Sequence, residues 1–466
     1  MKKKMRIIGE KMRAIGSVIA VATCYTIAEA ATQYAYENDQ KTYVVTVTES
    51  NDDISTDAIN VLNSNAVTNF VKRGDKRFQL SNGEGNAFTG DVTIEDGSIL
   101  VSRQNPLGPS GQITVNSKKA IVFSEVTLAK DVRLAGGEWD GGDTKISVWA
   151  GASRLNGKFI LGKHIDGKAY DVGVVSYEGS VLTFAGGMAD EDSSKGAWLT
   201  FKPSGGGTVV FENKPINIAK SFIIMPDTSR PAAKDGYCGR FVFSVAGNKM
   251  ANLGLDDGSS DRRMNWCDLK TTVDYAFDVN SKVYIGHDTR WDLCGTSQRI
   301  KQLDVKVKSG NPSVITNSLQ TPATLYAAMM YGNNGAPNIR IGGNLSVVYE
   351  GNIWDMKINN AMTATGDLVI NSKGTLTFEA NGSWVNAANV AVNNGEGKIV
   401  INNPNALGRM TNVSLAYDSS LQIKAGLTVH VRTLTVGGVQ KPRGNYTFGG
   451  GTLSVSHPCG FMLSVR

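Results

Sequence analysis

Two stretches far apart in this chain repeat the same spacing of apolar residues. Each contains a Leu-Gly pair, preceded by one pair of apolar residues two positions apart and followed by two more. The pairs are Ile99/Val101, Leu107-Gly108, Ile113/Val115 and Ile121/Phe123 within residues 88–123, and Ile399/Ile401, Leu407-Gly408, Val413/Leu415 and Leu421/Ile423 within 399–423. Such reuse of one unit indicates a repeat architecture, which grows by stacking units instead of closing separate cores. The chain length therefore fits one elongated body as well as about three compact domains.

The spacing of the apolar pairs indicates the kind of repeat. From residue 71 onward, such pairs recur between Gly, Asn, Asp and Ser, as in Phe78/Leu80, Val92/Ile94 and Val132/Leu134. Each pair places two side chains on one face of a short strand. No helical pattern of useful length lies between the strands, although parallel strands need long crossovers. A parallel β-helix meets that need with the rest of each turn, so we predict an all-β chain with this fold.

The pattern divides the chain into four parts. We assign residues 1–30 to a signal peptide, 31–70 to a short N-terminal cap, 71–455 to the β-helix, with a loop-rich segment at about 186–300, and 456–466 to a C-terminal tail. The cap is predicted from a β-branched strand at 43–48 and from Ser55-Thr56-Asp57, which can start one or two helical turns. Such a cap would cover strand edges that otherwise invite aggregation.

The first 30 residues have the pattern of a secretory signal. Lys2-Lys3-Lys4 precedes an apolar run over 14–27, and an A-x-A site predicts cleavage between Ala30 and Ala31. Cleavage removes six basic and two acidic residues and lowers the formal net charge from +6 to about +2, so nucleic-acid binding is not expected. No later apolar run reaches the ~18 residues of a membrane helix, so no membrane span is expected in the mature chain. We expect an exported protein, extracellular, at the cell surface or in the periplasm.

The cysteines beyond the signal are Cys238, Cys267, Cys294 and Cys459. The first three lie 29 and 27 residues apart, close to one long turn, so neighbouring turns would bring them within disulfide reach. We predict either a structural disulfide among Cys238, Cys267 and Cys294, with the pairing open, or inert thiols. The short C-x₂₋₄-C spacing of zinc sites is absent. Lipidation of Cys24 is an alternative to cleavage after Ala30, but the threonine directly before that cysteine fits it poorly.

One part of the repeat resembles a known family. Residues 86–101, NAFTGDVTIEDGSILV, are followed by Leu107-Gly108. This run resembles the autotransporter-associated β-strand repeat, with the approximate pattern N-x-[YF]-T-G-x-[TV]-x-[IV]-x-x-G-x-L-x-V…[LA]-G. Residues 434–447, LTVGGVQKPRGNYT, resemble the ending of secreted bacterial proteins of this type: a short strand, a Gly-rich turn and G-x-Y-T.

The resemblance implies a right-handed parallel β-helix that is exported from a bacterial cell, like an autotransporter passenger. The sequence departs from the family in two ways. The usual K-x-G-x-G lead-in appears as Lys72-Arg73-Gly74-Asp75-Lys76, without the second glycine. A C-terminal membrane barrel would need strands of ~10 residues ending in an aromatic residue, which the ending FMLSVR does not provide. Self-export as an autotransporter is therefore not expected.

No catalytic or metal-binding constellation is recognisable in the sequence. The histidines are scattered, at His164, His287, His430 and His457. The acidic segments 190–192 and 256–261 lack the helix-flanked pattern of a calcium loop. The glycine runs 205–207 and 449–451 have no helix behind them to hold a phosphate. We assign no catalytic residue, no metal ligand and no cofactor.

An enzyme is nevertheless the main alternative, because β-helices host polysaccharide lyases and glycosidases. That chemistry needs two carboxylates, or Ca²⁺ and a basic residue, on one face of adjacent turns. Asp268, Asp292 and Arg290 are the candidates, with Trp266 and Trp291 as platforms for sugars. For the two tryptophans, however, we expect a buried or capping position. We expect instead a non-catalytic structural or adhesive protein, secreted or surface-exposed, that contacts surface glycans or cell-envelope components. A glycan-binding module is a further alternative.

Overall fold

The predicted parallel β-helix is the fold of the chain. In a computed structural model, the structure describes residues 32–456 except for 39, 49–51, 54–59, 65, 81–86, 103–106, 117–119, 135–143, 163–172, 177–178, 193–198, 202–205, 225–236, 256–265, 287–288, 306–312, 329, 333–338 and 352–354. The predicted signal peptide, its cleavage site at Ala30 and Ala31, and the predicted tail beyond residue 456 lie outside these residues. No helix in the described part of the chain is long and apolar enough to cross a membrane.

Strands of successive turns pair in parallel on three faces of the β-helix. Face 1 contains β2 (Thr42–Val47), β4 (Asn69–Arg73), β6 (Asp91–Ile94), β8 (Gln112–Val115), β11 (Asp131–Leu134), β14 (Phe159–Leu161), β17 (Met188–Asp190), β20 (Ile216–Asn217), β27 (Ser297–Ile300), β30 (Ala323–Ala327), β33 (Leu345–Tyr349), β35 (Leu368–Ile370), β37 (Asn389–Val392), β39 (Asn412–Leu415) and β42 (Thr433–Val436). Face 2 contains β3 (Asp52–Asp53), β5 (Arg77–Leu80), β7 (Ser98–Ser102), β9 (Ala120–Ser124), β12 (Thr144–Ala150), β15 (Gly173–Ser176), β18 (Leu199–Phe201), β21 (Ser221–Ile224), β23 (Asn252–Leu255), β25 (Lys282–Ile285), β28 (Gln302–Val305), β31 (Met330–Gly332), β34 (Met356–Ile358), β36 (Gly374–Phe378), β38 (Gly397–Ile401) and β40 (Leu421–Ile423). Face 3 contains β10 (Thr127–Leu128), β13 (Ala152–Leu155), β16 (Val181–Phe184), β19 (Thr208–Phe211), β22 (Tyr237–Phe243), β24 (Trp266–Thr271), β26 (Thr289–Asp292), β29 (Ser313–Asn317) and β32 (Ile339–Gly343).

The alternation of apolar and polar residues becomes an alternation of inside and outside. In β6, Val92 and Ile94 are fully buried, whereas the residues between and before them face outward. Val92 pairs with Ile113 in β8, which pairs in turn with Val132 in β11, so like residues line the interior at one level of each turn. The apolar pairs of the sequence therefore specify one continuous core, as predicted.

The N-terminal end is closed differently from the prediction. The strand predicted at 43–48 is β2, but it already pairs in parallel with β4, so the β-helix begins within the predicted cap. Its outer edge is covered by β1 (Thr32–Glu37), which pairs with β2 in the antiparallel direction. Residues 60–62 are helical, in agreement with the predicted helical turn. The polar sequence TQYAYE gave no strand signal because nearly all of β1 is exposed.

Antiparallel strands also close the C-terminal end. The chain forms a 3-10 helix, Asp418–Ser420, and then β41 (Thr428–Val431), β43 (Val439–Gln440), β44 (Gly444–Phe448) and β45 (Gly451–Val455). β43 folds back on β42, and β44 on β45, while β45 continues the parallel stack on β41. Reversal of strand direction ends the ladder, so a further turn cannot simply be added at this end.

Aromatic rings fill the core of the loop-rich segment. Phe201 stacks on Phe222 with ring centroids 4.6 Å apart, and Phe211 stacks on Phe243 at 4.7 Å. The two stacks meet edge to face, since the rings of Phe201 and Phe211 lie 5.8 Å apart at nearly a right angle. Offset and edge-to-face pairs of this kind contribute about 0.5–1.5 kcal/mol each beyond their buried area. The middle of the chain is thus a regular part of the β-helix despite its irregular sequence.

The Leu-Gly pairs of the sequence repeat lie at corners that touch the preceding turn. Leu107 is buried, and a Cβ on Gly108 would lie 1.9 Å from the carbonyl oxygen of Phe88. In the second copy, a Cβ on Gly408 would lie 1.9 Å from the carbonyl oxygen of Val385. Only glycine permits this approach of one backbone to another.

Buried polar side chains satisfy backbone groups where corners interrupt the ladder. The ammonium of Lys130, which is 1% exposed, donates to the carbonyl oxygens of Gly90 (2.7 Å), Phe88 (3.2 Å) and Ser110. It thereby joins three successive turns. Lys72 acts in the same way on Arg73, Gly74 and Asp96. Asn248 donates to the carbonyl oxygens of Val245 and Ala276 and accepts from the amide of Ile216.

Replacement of Lys130 tests this role. We expect Lys130→Met to lower the free energy of unfolding by about 3 kcal/mol, because three buried carbonyl groups lose their donor. The matched control is Lys158→Met, an exposed lysine on the next turn, which should change it by less than about 0.5 kcal/mol. Urea unfolding followed by circular dichroism, with hydrogen exchange of residues 88–115, measures both. Equal urea midpoints of unfolding for the two variants would show that the hydrogen bonds of Lys130 do not stabilise the fold.

Candidate functional site

The residues proposed for catalysis come together on face 3. Asp268 of β24 is the register partner of Arg290 of β26, and Leu269 is the partner of Trp291. Because strands alternate, Leu269 and Trp291 point into the core, whereas Asp268, Arg290 and the neighbouring Asp292 belong to the outer side. The sequence thus identified a true cluster of charged residues on adjacent turns.

The geometry of this cluster is that of a structural ion pair. Arg290 donates from Nε to Oδ1 and from Nη2 to Oδ2 of Asp268, both at 2.8 Å. The carboxylate of Asp268 is fully buried, and Nζ of Lys270 lies 4.0 Å from it. A bidentate fork with a planar guanidinium occupies both oxygens of the carboxylate. Because Asp268 is also fully buried, its carboxylate presents no surface to a sugar in this conformation.

Asp292 is committed to the backbone. Its Oδ1 accepts hydrogen bonds from the amides of Cys294 and Ser318, both at 3.0 Å. Burial raises the pKa of Asp292, but these hydrogen bonds and nearby Arg290 outweigh it, so the pKa lies below its usual value. The carboxylate stays ionised and holds two turns together, which makes it unsuitable as a general acid.

The expectation that Trp291 is buried is confirmed, and its ring does not serve as a platform for sugars. Trp291 is completely buried, packs edge to face on Phe277 at 6.0 Å and donates from Nε1 to Oγ1 of Thr271 at 3.3 Å. It is a core residue, because a tryptophan of β26 on the same side as Leu269 must point inward. The side chain of Trp266 lies outside the described residues.

Where the structure describes them, the acidic and histidine residues singled out in the sequence do not form a metal site. Asp190 accepts from the amide of Ala219 at 2.7 Å, and Glu191 forms a fork with Arg133. Residues 256–261 lie outside the described residues, as do His164, His287 and His457, whereas His430 is an exposed residue of β41. Among the residues that the structure describes, no group of three His, Cys, Asp or Glu could hold a metal ion.

The predicted disulfide is confined to one pair. Cys294 is a half-buried free thiol in the turn after β26. Cys267 lies buried in β24, and its register partner is Gly239, the residue next to Cys238. The backbone thus brings Cys238 and Cys267 to adjacent strands, but the side chain of Cys238 is not described. A bond between these two stays a prediction.

A groove that the sequence did not reveal lies at the corner between face 3 and face 1. This corner groove has a volume of about 630 Å³ and crosses four successive turns. It is lined by Ala129, Asp131, Asn156, Gly157, Lys158, Gly186, Gly187, Met188, Ala189, Lys214, Pro215 and Asn217. In the sequence, glycine and lysine recur among the lining residues at a spacing of about one turn. This recurrence predicts a groove only when the register of the turns is known.

Glycines make the floor of the corner groove. A Cβ on Gly157 would lie 2.0 Å from the carbonyl oxygen of Lys130, and one on Gly186 would lie 2.0 Å from that of Gly157. Exposed Lys158 and Lys214 stand at its edge, two turns apart. Of the described lining residues, Asp131 alone carries a carboxylate, and its Oδ1 accepts from the amide of Lys158 at 2.6 Å. The groove thus presents two ammonium groups and one carboxylate to a ligand.

Comparison with known proteins finds no matching family model, no similar curated protein and no similar solved structure. The resemblance to autotransporter-associated repeats therefore rests on the sequence motifs alone.

The structural role of the ion pair between Asp268 and Arg290 can be tested by measuring the free energy of unfolding. We expect Arg290→Met to lower the free energy of unfolding by about 3 kcal/mol, because a buried carboxylate loses its main partner. Arg340→Met is the control, since Arg340 is an exposed arginine of β32 on the same face. Denaturant unfolding of the two variants gives the comparison. A loss no larger than that of Arg340→Met would contradict the structural role.

The thiol of Cys294 gives a pH-dependent prediction. Burial, aided by the nearby Asp292, raises its pKa from 9.0 to about 11. The folded state holds this proton more tightly, so the contribution of the group to stability is present below pH 9 and is lost as the pH rises through 11. At pH 8 we expect about hundredfold slower alkylation by iodoacetamide in the folded than in the urea-unfolded chain. Peptide-resolved mass spectrometry measures both rates, and equal rates would contradict the shift.

Proposed function

We propose that this chain is an exported, non-catalytic β-helix that acts as a structural or adhesive rod and contacts surface glycans or components of the cell envelope. The observation that carries this proposal is the state of the charged cluster on face 3. Asp268 and Arg290 are engaged with each other, and Asp292 with the backbone. A site for acid and base catalysis needs a carboxylate that is within reach of the substrate and can exchange a proton.

The outer surface supports a structural role. On face 1, side chains of successive turns form a hydrogen-bonded row, in which Asn389 donates to Asp367 (2.7 Å), Asn412 to Asn389 (3.0 Å) and Thr433 to Asn412 (2.8 Å). Asn393 likewise donates to Asn371 on the preceding turn, at 2.9 Å. Such ladders stiffen the surface and repeat the same polar groups at each turn. A repeated, rigid surface suits weak contacts that act together.

Export is the part of the proposal that depends on sequence alone. Its support is the basic and apolar pattern of residues 1–30 with the A-x-A site before Ala31, together with the resemblance of residues 86–101 to a repeat of secreted bacterial proteins. The exported chain would then reside at the cell surface, in the medium or in the periplasm.

The proposal predicts export without turnover. Expressed in full in a secreting bacterial host, the chain should leave the cytoplasm and begin at Ala31, as N-terminal sequencing of the exported form would establish. The exported form should be retained on immobilised cell-envelope glycans, yet release no new reducing or unsaturated ends from polygalacturonate or neutral polysaccharides. Turnover by the unaltered exported form would establish the enzyme alternative instead. A cytoplasmic, uncleaved chain would contradict export, and a chain that binds no envelope material would contradict adhesion.

A further inference from the structure

We propose that the corner groove binds a short segment of a carboxylate-bearing glycan, laid along the axis of the β-helix. This inference rests on the adhesive function proposed above and specifies both the binding site and the class of glycan. Its basis is the shape of the groove, the donors at its edge and the state of the acceptors in its floor.

The groove is a permanent recess. It crosses four turns, so at the ~4.8 Å spacing of paired strands it extends over about 14 Å along the axis. No side chain can fill its floor, because a Cβ on Gly157 or Gly186 would collide with the backbone of the preceding turn. Gly187, at φ +79°, adopts a left-handed conformation that L side chains rarely take. Binding therefore needs no rearrangement of the backbone, which lowers its entropic cost.

Hydrogen-bond donors prevail at the edge of the groove. Lys158 and Lys214 are exposed and each carries an ammonium group with three donors. The side-chain oxygen of Asn156 accepts from Nε of Arg154 at 2.8 Å, which leaves its NH₂ group as a donor. A ligand rich in acceptors, such as carboxylates and hydroxyl groups, matches this set.

Several acceptors that line the groove already accept hydrogen bonds from the protein. Asp131 accepts from the amide of Lys158 at 2.6 Å. The carbonyl oxygen of Gly187 accepts from the amide of Phe159 at 2.9 Å, and that of Pro215 from the amide of Met188 at 3.4 Å. The groove lining carries two ammonium groups against the one carboxylate of Asp131, so its charge favours an anion.

The spacing of the lysines favours a chain with repeated charges over one small anion. The ladder aligns Phe159 with Met188 and Met188 with Ile216, so Lys158 and Lys214 stand two turns apart, roughly 10 Å. Backbone positions at that separation suit a chain with two carboxylates, one for each ammonium group. Ala129 and Pro215, small apolar residues that also line the groove, offer surface for the C–H faces of sugar rings. An acidic oligosaccharide provides both features.

Calorimetric titration tests the inference with a galacturonate oligosaccharide as the probe and a galactose oligosaccharide of the same length as the neutral comparison. The test variant is Lys158→Ala combined with Lys214→Ala. The control is Lys301→Ala combined with Lys424→Ala, which removes two exposed lysines outside the groove lining. We expect about tenfold weaker binding of the galacturonate probe by the test variant, and a change below about twofold in the control. Added salt should weaken binding by the unaltered protein more than by the test variant.

The inference is overturned if the galacturonate probe does not bind, if both variants bind it equally, or if the galactose oligosaccharide binds as tightly. Competition by inorganic phosphate at the same molar concentration would also overturn it, since one small anion would then suffice. Retention of the same variants on envelope glycans separates the two proposals. If the test variant is retained like the unaltered protein, the groove is the wrong site and the adhesive function stands. If the unaltered protein is not retained, the adhesive function itself fails.

Discussion

The corners of the β-helix impose the constraint on which the rest of the structure depends. Along the strands each backbone amide and carbonyl finds its partner in the neighbouring turn, but at a corner the ladder is interrupted and these groups would be buried without partners. The chain meets this constraint with glycines such as Gly108, which let one turn lie on another, and with buried side chains such as Lys130 and Asn248. Because each of these side chains bonds to neighbouring turns, the corners also fix the register in which the turns stack.

The sequence predicts the strands well because their signal is local. The pairs Val92/Ile94 and Ile113/Val115 bury their side chains as the period of two requires, and the Leu-Gly pairs lie at corners. Partners that depend on register were not predictable in detail, because residues 20 to 30 positions apart meet only when the length of each turn is known. For example, Lys130 is buried and Lys158, on the next turn, is exposed. The residues that flank each lysine in the sequence do not predict this difference.

The charged cluster on face 3 shows that the sequence can predict the place of a group of residues without predicting its chemical role. Listing Asp268, Arg290 and Asp292 together was correct as to place, since two of them are register partners. Their chemistry could not be read from the sequence, because the same residue types serve an active site and a buried ion pair. What decides is the geometry, namely a bidentate fork at 2.8 Å and a carboxylate with no exposed surface. The buried position of Trp291 has a simpler origin, since alternation along β26 and the register with Leu269 place that ring in the core.

Structure and binding surface arise from one requirement in this fold. Close stacking forbids side chains at Gly157 and Gly186, and the backbone that remains bare is the floor of the corner groove. The lysines at its edge lie outside the stacked backbone and do not serve the packing. We therefore expect their replacement to leave the corner intact. Replacement of Lys130, in contrast, removes hydrogen bonds that join its turn to the two preceding turns. A β-helix can in this way vary what it binds at a corner without altering how that corner is held together.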